Sequence, residues 1–171
     1  MEFRDYIRDV PDFPVPNIVF KDITPLLASS EAFGAAIEQL AAPFEDSGIS
    51  AVAAIEARGF MFGPPMAQLL GVGFIPIRKP GKLPYDVIGV DYDLEYGTDR
   101  VEMHIDACAE GDRVLLVDDV LATGGTLNAA ASLVQSAGAA VAGIAVLIDL
   151  VGLGGAERLP SVPFHSLIEI D

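Results

Sequence analysis

The feature that most constrains this chain is an apolar run followed directly by acidic, glycine-rich and helix-forming residues. Residues 113–118 predict a buried strand, which leads into Asp119, a turn containing Gly124 and Gly125, and a helix over about 126–137. A second apolar run follows at 141–148. Strand, helix and strand at this spacing predict a right-handed βαβ unit in a parallel sheet. The fold class is therefore α/β.

Hydrophobic periodicity extends the alternation of helices and strands to the rest of the chain. We predict helices at about 31–42 and 64–70, and strands at about 49–56, 73–78, 90–96 and 100–104. Pro76 indicates that its strand lies at an edge or carries a bulge. The segment 79–89, rich in proline, glycine and lysine, predicts a mobile exposed loop. Neither a repeat nor a linker divides the sequence, so we expect one domain over 1–171.

Charge restricts the partners that this chain can bind. Its 10 basic and 25 acidic residues give a net charge of −15, which opposes binding to nucleic acid or to an anionic membrane surface. Four of the ten basic residues, Arg58, Arg78, Lys79 and Lys82, fall within 25 consecutive positions. A concentrated basic stretch in an acidic protein indicates a small anionic ligand.

Cysteine and histidine content, together with the N-terminal sequence, favours a reducing compartment. Cys108 is the only cysteine, and His104 and His165 stand far apart, which excludes a disulfide framework and a four-ligand zinc site within one chain. The N-terminus mixes acids and bases without an apolar core, and no apolar run reaches the roughly 20 residues of a spanning helix. We expect a cytoplasmic protein that does not enter a membrane.

The turn after the 113–118 strand has the composition of a phosphate-binding cradle. Glycines allow the backbone N–H groups to face a ligand, the helix start adds partial positive charge, and Thr123 and Thr126 add hydroxyl donors. Asp118 and Asp119 would repel a phosphate, so we expect them to accept hydrogen bonds from hydroxyls or to lie near a hydrated Mg²⁺. The alternative for the turn alone is a tight turn and helix cap.

A second strand end brings Arg58 into a turn. Arginine binds a diphosphate through several N–H donors, whereas the alternative is a surface arginine paired with Glu56. Both strand ends are predicted at the carboxyl edge of a parallel sheet, where ligands bind in such folds. The two segments therefore predict one anion-binding site.

These motifs resemble those of a known enzyme family. The apolar strand with its Asp pair and Gly-Gly turn is similar to the phosphoribosyl-diphosphate (PRPP) signature of type I phosphoribosyltransferases, and residues 56–60 resemble the diphosphate loop of adenine phosphoribosyltransferases. Segments 13–27, 77–84 and 94–99 also resemble that family. The resemblance implies a central, mostly parallel twisted sheet flanked by helices. It also implies a small N-terminal hood that binds the base (1–27) and a mobile catalytic loop (79–89).

The resemblance also implies roles for individual residues. It implies that Glu95 transfers a purine proton as a catalytic acid or base. It also implies that Arg58 and Lys79 are catalytic residues that hold the leaving diphosphate. Val19, Phe20 and Lys21 would border adenine. The positions implied for PRPP and AMP binding are Arg58, Gly59, Lys79, Lys82, Asp118, Asp119, Ala122, Thr123, Gly124, Gly125 and Thr126. Mg²⁺ is implied as the cofactor, held mainly by PRPP and water near the two aspartates, with no direct protein ligand.

Each of these roles has a plain structural alternative. Val19 and Phe20 could be core residues, Lys21 could pair with Asp22, and Glu95 could point to solvent. We expect His104 and Cys108 to be packing residues. The sequence departs from the family pattern at Asn17, where glycine is common, and at Asp149, where many relatives have glutamate.

The resemblance implies Mg²⁺-dependent transfer of 5-phosphoribosyl from PRPP to N9 of adenine, giving AMP and diphosphate in purine salvage, by a homodimer. A phosphoribosyltransferase for hypoxanthine or guanine is the first alternative. Such enzymes commonly read O6 with a lysine in the last third of the chain, and no lysine follows Lys82 here. The second alternative is a PRPP-sensing regulator that binds nucleic acid, which the net charge opposes.

Overall fold

The computed structural model describes residues 1–93 and 97–171. The strands are β1 (Arg8–Pro11), β2 (Val19–Asp22), β3 (Ala51–Ile55), β4 (Gly73–Ile77), β5 (Val87–Asp93), β6 (Thr98–His104), β7 (Arg113–Leu121), β8 (Ala140–Leu150) and β9 (Phe164–Ile170). The α-helices are α1 (Thr24–Ala28), α2 (Ser30–Ala41), α3 (Gly63–Leu70) and α4 (Gly125–Ser136). Within the described ranges, no helix has both the length and the apolarity needed to cross a membrane.

Five strands form the central sheet in the order β4-β3-β7-β8-β9, and every neighbouring pair is parallel. The α/β class and the parallel sheet are thus confirmed. β4, which contains Pro76, lies at an edge of this sheet, as the proline indicated. The β7-α4-β8 unit matches the predicted βαβ segment. Both of its strands are buried and apolar, so α4, which connects them, packs against one face of the sheet that they form.

Helices cover both faces of the sheet. Buried residues of α2 and α3, including Leu40 and Met66, pack with Leu115 and Val117 on one face. On the other face Leu127 and Leu133 of α4 pack in a second cluster of buried apolar residues. The side chain of Ser29 accepts a hydrogen bond from the backbone N–H of Ala32 at 3.2 Å and caps α2, as expected for serine before a helix. These two clusters hold the helices on the sheet, and the site is built at one edge of that sheet.

Two antiparallel hairpins flank the sheet, formed by β1 with β2 and by β5 with β6. The second begins at Val87, so the connection after Lys79 is shorter than the expected loop over 79–89 and ends at Asp86. β7 extends to Leu121, past the predicted end at Asp118, because pairing with β8 continues as far as Asp149. The two aspartates therefore lie within the strand and not after it.

Candidate functional site

The turn between β7 and α4 forms a concave backbone surface, which we call the phosphate cradle (residues 122–126). It lines a cavity of about 160 Å³ at the start of α4. No acidic residue lies in the first turn of α4 and no side chain caps it. The first N–H groups of this 12-residue helix are thus free to bind an anion.

Gly124 gives the cradle its shape. Its φ is +88°, in the left-handed region, and a Cβ there would lie 3.1 Å from the carbonyl oxygen of Gly155. Both the backbone angle and the close approach disfavour larger residues. The predicted glycine-rich turn lies where the sequence placed it, and its binding of phosphate stays a prediction.

The aspartate pair lies beside the cradle at the bottom of a cleft of about 330 Å³, which Arg58 and Lys79 also line. Asp119 is 4% exposed, and Oδ1 of Asp118 accepts the backbone N–H of Asp119 at 2.9 Å. Burial raises the pKa of Asp118 well above its ordinary range, and the neighbouring Asp119 adds to this. Burial also raises the pKa of Asp119, although Arg58 opposes the rise. Two carboxylates held this way suit hydroxyl donors better than phosphate.

Arg58 lies above the pair, in a 3₁₀ turn that follows β3 and a cis peptide between Glu56 and Ala57. Its Nε lies 2.9 Å from Oδ2 of Asp119, and its guanidinium carbon lies 4.7 Å from the ring centre of Phe20. The alternative pairing of Arg58 with Glu56 is wrong. Among the described residues its buried Nη1 makes no hydrogen bond, which leaves a donor for a ligand.

Gly59 explains how the Arg58 turn comes so close to β7. A Cβ at this position would lie 2.9 Å from Oδ1 of Asp118 and 3.1 Å from the carbonyl oxygen of Val117. Glycine is required because backbone meets backbone here. The turn and the aspartate pair therefore form one packed unit.

Glu56 binds two basic side chains and one backbone N–H group beside the cleft. Its carboxylate accepts hydrogen bonds from Arg78 at 3.1 and 3.2 Å, from Nζ of Lys82 at 2.6 Å and from the backbone N–H of Lys79 at 3.2 Å. Burial alone would raise the pKa of Glu56, but the hydrogen bonds from Lys82 and Arg78 lower it to about 2. We call Arg58, Arg78, Lys79 and Lys82 the cation cluster.

Lys79 reaches into the cleft from the end of β4. Its Nζ contacts the carboxylate of Asp99 and donates to the hydroxyl of Tyr92 at 3.1 Å. Burial alone would lower the pKa of Lys79, but the hydrogen bonds to Asp99 and Tyr92 raise it above its ordinary value. The ammonium therefore stays charged at the mouth of the cleft.

The N-terminal hairpin lies over Arg58 and supplies the predicted base-binding residues on β2. Val19 is 48% exposed, and the ring of Phe20 lies edge to face with Phe13 at 5.1 Å. Lys21 pairs with Asp9 at 2.9 Å and not with Asp22. The alternative that Val19 and Phe20 are core residues is wrong for the exposed Val19, and Phe20 is only half-buried, with the guanidinium of Arg58 over its ring.

Comparisons with known proteins agree with this geometry. The family model described as "Phosphoribosyl transferase domain" matches residues 26–160. The adenine phosphoribosyltransferase of Roseiflexus sp. (strain RS-1) is 56% identical over 165 residues, covering 96% of each chain. The adenine phosphoribosyltransferase of Maridesulfovibrio salexigens is 55% identical over 170 residues, 99% of this chain and 100% of the relative. The chain belongs to the adenine phosphoribosyltransferase family.

Solved structures of the adenine phosphoribosyltransferase family have the same fold. The crystal structure of the enzyme from Thermoanaerobacter pseudethanolicus superposes with a TM-score of 0.96 at 51% identity, covering 99% of this chain and 98% of the other. The enzyme from Giardia lamblia, complexed with 9-deazaadenine, gives a TM-score of 0.93 at 38% identity, covering 99% and 97%. The predicted type I phosphoribosyltransferase fold is confirmed.

The two departures from the family pattern have different structural settings. Asn17 has a φ of +69°, and its N–H donates to Oδ1 of Asp12 at 2.8 Å. Asparagine tolerates this left-handed backbone better than most residues, so it can replace glycine there. Asp149 is 5% exposed on β8, and burial raises the pKa of its carboxyl, with Glu169 adding to the effect.

The remaining expectations have mixed outcomes. Glu95, the predicted proton-transfer residue, lies outside the described residues, as does Tyr96. Cys108 is buried among apolar side chains, as expected of a packing residue. His104 lies beside Tyr85, with ring centres 6.1 Å apart.

Sequence reasoning missed Tyr92 and Asp99, which hold the ammonium of Lys79. They face each other in the register of the β5-β6 hairpin. The predicted strands at 90–96 and 100–104 placed Asp99 between the strands and not on one of them. The alternation of the two strands was the available signal, but it does not fix which residues pair.

Donor chemistry limits how the family's metal could be held. Within 1–93 and 97–171 there is no cluster of three or more His, Cys, Asp or Glu side chains suited to a metal ion. Asp118 and Asp119 can bind water that belongs to a hydrated Mg²⁺, which fits an ion carried mainly by its ligand. A closed protein site does not fit these residues.

Proposed function

We propose that this member of the family transfers the 5-phosphoribosyl group of PRPP to N9 of adenine, forming AMP and diphosphate in purine salvage. The observation that carries the proposal is one continuous site, formed by the cradle cavity and the adjoining cleft, which share Asp118, Ala122 and Thr126. It has an uncapped helix start at one end, cations at the other and two buried carboxylates between them. PRPP has the matching order of groups, with a 5′-phosphate, ribose hydroxyls and a diphosphate.

At the phosphate end, Ala122, Thr123, Gly124, Gly125 and Thr126 bind the 5′-phosphate through backbone N–H groups and the hydroxyl of Thr123. Asp118 and Asp119 accept hydrogen bonds from the 2′ and 3′ hydroxyls of the ribose. The raised pKa values support this role, because an uncharged donor relieves buried carboxylates without bringing a second anion. Both ends of the sugar are then held in one orientation.

At the diphosphate end, Arg58 and Lys79 neutralise the leaving group, and Lys82 adds charge at the mouth of the cleft. The buried Nη1 of Arg58 supplies a donor that the described residues do not use. Bound Mg²⁺ would supply further charge neutralisation on the diphosphate. Charge stabilisation of this kind favours departure of diphosphate from the ribosyl carbon.

The N-terminal hairpin provides the base site. Phe20 offers a ring surface beside Arg58, and Val19 and Lys21 provide main-chain groups on an exposed edge of β2. Glu95 carries a proton to or from the purine. No lysine follows Lys82, which favours adenine over a base with an oxygen at C6.

The direct test offers adenine, hypoxanthine and guanine separately to the purified protein with PRPP and Mg²⁺, and separates the products by chromatography. AMP from adenine alone is the expected result. Product from an oxopurine instead would favour the first alternative, a phosphoribosyltransferase for hypoxanthine or guanine. PRPP binding without product from any base would favour the regulator. Removing Mg²⁺ with EDTA should abolish turnover, and added Mg²⁺ should restore it.

Glu95→Ala tests the proton-transfer role. We expect kcat to fall by about 10²- to 10⁴-fold, the range of general acid-base catalysis, while PRPP affinity changes less than about twofold. Glu110→Ala, which removes an exposed carboxylate far along the chain, is the control. Unchanged turnover in Glu95→Ala would remove Glu95 from the chemistry.

A homodimer and a cytoplasmic location remain proposals. The family resemblance supports the first, and sedimentation velocity of the purified protein tests it directly. The single buried Cys108 supports the second. Cell fractionation with an antibody tests it.

A further inference from the structure

The hydroxyl of Tyr92 joins three side chains from separate parts of the site. It accepts a hydrogen bond from Nζ of Lys79 at 3.1 Å and one from the hydroxyl of Thr126 at 3.3 Å. It donates to Oδ2 of Asp99 at 3.1 Å. Thr126 belongs to the phosphate cradle and Lys79 to the cation cluster. Tyr92 is therefore a direct link between the two ends of the cleft.

Packing holds the Tyr92 ring in place. Tyr92 lies on β5 directly opposite Asp99 on β6 and contacts the buried apolar cluster around α4. The space where Gly125 would carry a Cβ lies 3.4 Å from Cδ2 of the ring. The β5-β6 hairpin and the start of α4 thus hold the hydroxyl in position.

Hydrogen-bond capacity shows what this arrangement leaves for a ligand. A tyrosine hydroxyl has one donor and two acceptor positions, and the three contacts use all of them. The ammonium of Lys79 has three N–H donors, of which Tyr92 and Asp99 take two. One N–H therefore remains for an anion in the cleft. A lysine side chain otherwise loses much rotamer entropy when it binds.

We propose that Tyr92 is a positioning residue that holds the Lys79 ammonium ready for the diphosphate and ties it to Thr126. The proposal rests on the proposed function, because it assigns the diphosphate to Lys79. The hydroxyl keeps Lys79 ordered before PRPP binds, so less of the binding free energy is lost to ordering the side chain. The phosphate cradle and Lys79 then act as one connected unit.

Tyr92→Phe removes the hydroxyl and keeps the ring. We expect KM for PRPP to rise about tenfold, the effect of losing one hydrogen bond to a charged group, and KM for adenine to change less than about twofold. Ser136→Ala is the control, since it also removes one hydroxyl, from an exposed residue at the far end of α4 outside the cleft. An unchanged KM for PRPP in Tyr92→Phe would overturn the proposal.

A double-mutant cycle separates positioning from a general loss of structure. In a Lys79→Met background, Tyr92→Phe should weaken PRPP binding by less than about twofold more, because the group it positions is gone. The same tenfold loss in both backgrounds would overturn the proposal. PRPP binding measured by calorimetry needs no turnover, and the adenine assay of the wild type tests the proposed function, so the two failures are distinguishable.

Discussion

The two ends of the cleft are built from different materials. The phosphate cradle consists of backbone N–H groups and two threonines at a helix start, and its shape follows from Gly124. The cation cluster consists of four long side chains, all of which pair with carboxylates of this chain: Arg58 with Asp119, Arg78 and Lys82 with Glu56, and Lys79 with Asp99. One end is complete without a ligand, whereas the other must share its charges with an incoming diphosphate.

The difference indicates that the two ends contribute to PRPP binding in different ways. A backbone cradle loses little entropy on binding, because its N–H groups are already ordered by β7 and α4. Paired cations avoid the cost of isolated charges in the ligand-free protein but exchange partners when an anion arrives. Substitutions in the cradle should therefore act on fold and binding together, and those in the cation cluster mainly on binding.

The largest effect is expected where the two ends meet. Asp118→Asn combined with Asp119→Asn should weaken PRPP binding more than about 100-fold, because two charged acceptors for the ribose hydroxyls are lost. Calorimetry measures the change. The control removes two adjacent exposed carboxylates, Glu45→Gln with Asp46→Asn, and should bind PRPP normally. Normal PRPP affinity in the first variant would refute the ribose assignment.

The single variant Asp118→Asn should make the ligand-free protein more stable at neutral pH. Burial raises the pKa of Asp118 in the folded state, so the carboxyl costs stability as the pH rises above its ordinary pKa of 3.8, and the cost is fully present above the folded-state pKa. Each kcal/mol gained raises the melting temperature by about 2–4 °C in a chain of this size. The gain should shrink as the pH falls through the folded-state pKa. A melting temperature below that of wild type at pH 7 would contradict this prediction.

Gly124→Ala should affect fold and binding together. The left-handed φ costs an alanine about 1–2 kcal/mol, and its Cβ would also crowd the carbonyl oxygen of Gly155. We expect a lower melting temperature and a rise in KM for PRPP of about tenfold or more. Gly34→Ala is the control, because this helical glycine has open space around it and alanine there should add about 0.5–1 kcal/mol of stability. Equal melting temperatures and equal KM values for PRPP in the two variants would contradict the argument that the backbone conformation of Gly124 shapes the cradle.

Glu56→Gln should alter the cation cluster in a pH-dependent way. The pKa of Glu56 is lowered to about 2 from 4.5, so its ionised form stabilises the fold fully above about pH 4.5, and this stability is lost as the pH falls toward 2. The melting temperature should be lower than in wild type at pH 7, and the gap should close in acid. Glu38→Gln, an exposed residue of α2, should show no such gap. A gap independent of pH would contradict the ion-pair explanation.

The smallest effect is expected for Lys82→Ala. The side chain is 48% exposed, and its charge is shared with Glu56. Exposed ion pairs contribute little, so KM for PRPP should rise by about two- to threefold at low ionic strength. The difference should vanish at high salt, where exposed charges are screened. A tenfold effect that persists in salt would place Lys82 deep in the binding site.

The sequence predicted the central elements because their signals are local. The apolar runs of β3, β7 and β8 and the glycines of the cradle each depend on residues close in the chain. The βαβ handedness rule then gave the parallel sheet without long-range information. Residues 122–126 were predicted as a unit for the same reason. β9 was not predicted, since its half-buried sequence became a strand through pairing with β8.

By itself, then, the sequence determined the α/β class, the cradle, the aspartate pair and the cations that a PRPP site requires. Only the tertiary structure decided how the charges pair. It joined Arg58 to Asp119 and left Glu56 to Arg78 and Lys82, and it brought Tyr92 between Lys79 and Thr126. The physical reason is the distance along the chain that separates the residues involved in each feature. Backbone geometry and apolar period are set by neighbouring residues, whereas an ion pair depends on which strand ends meet in space.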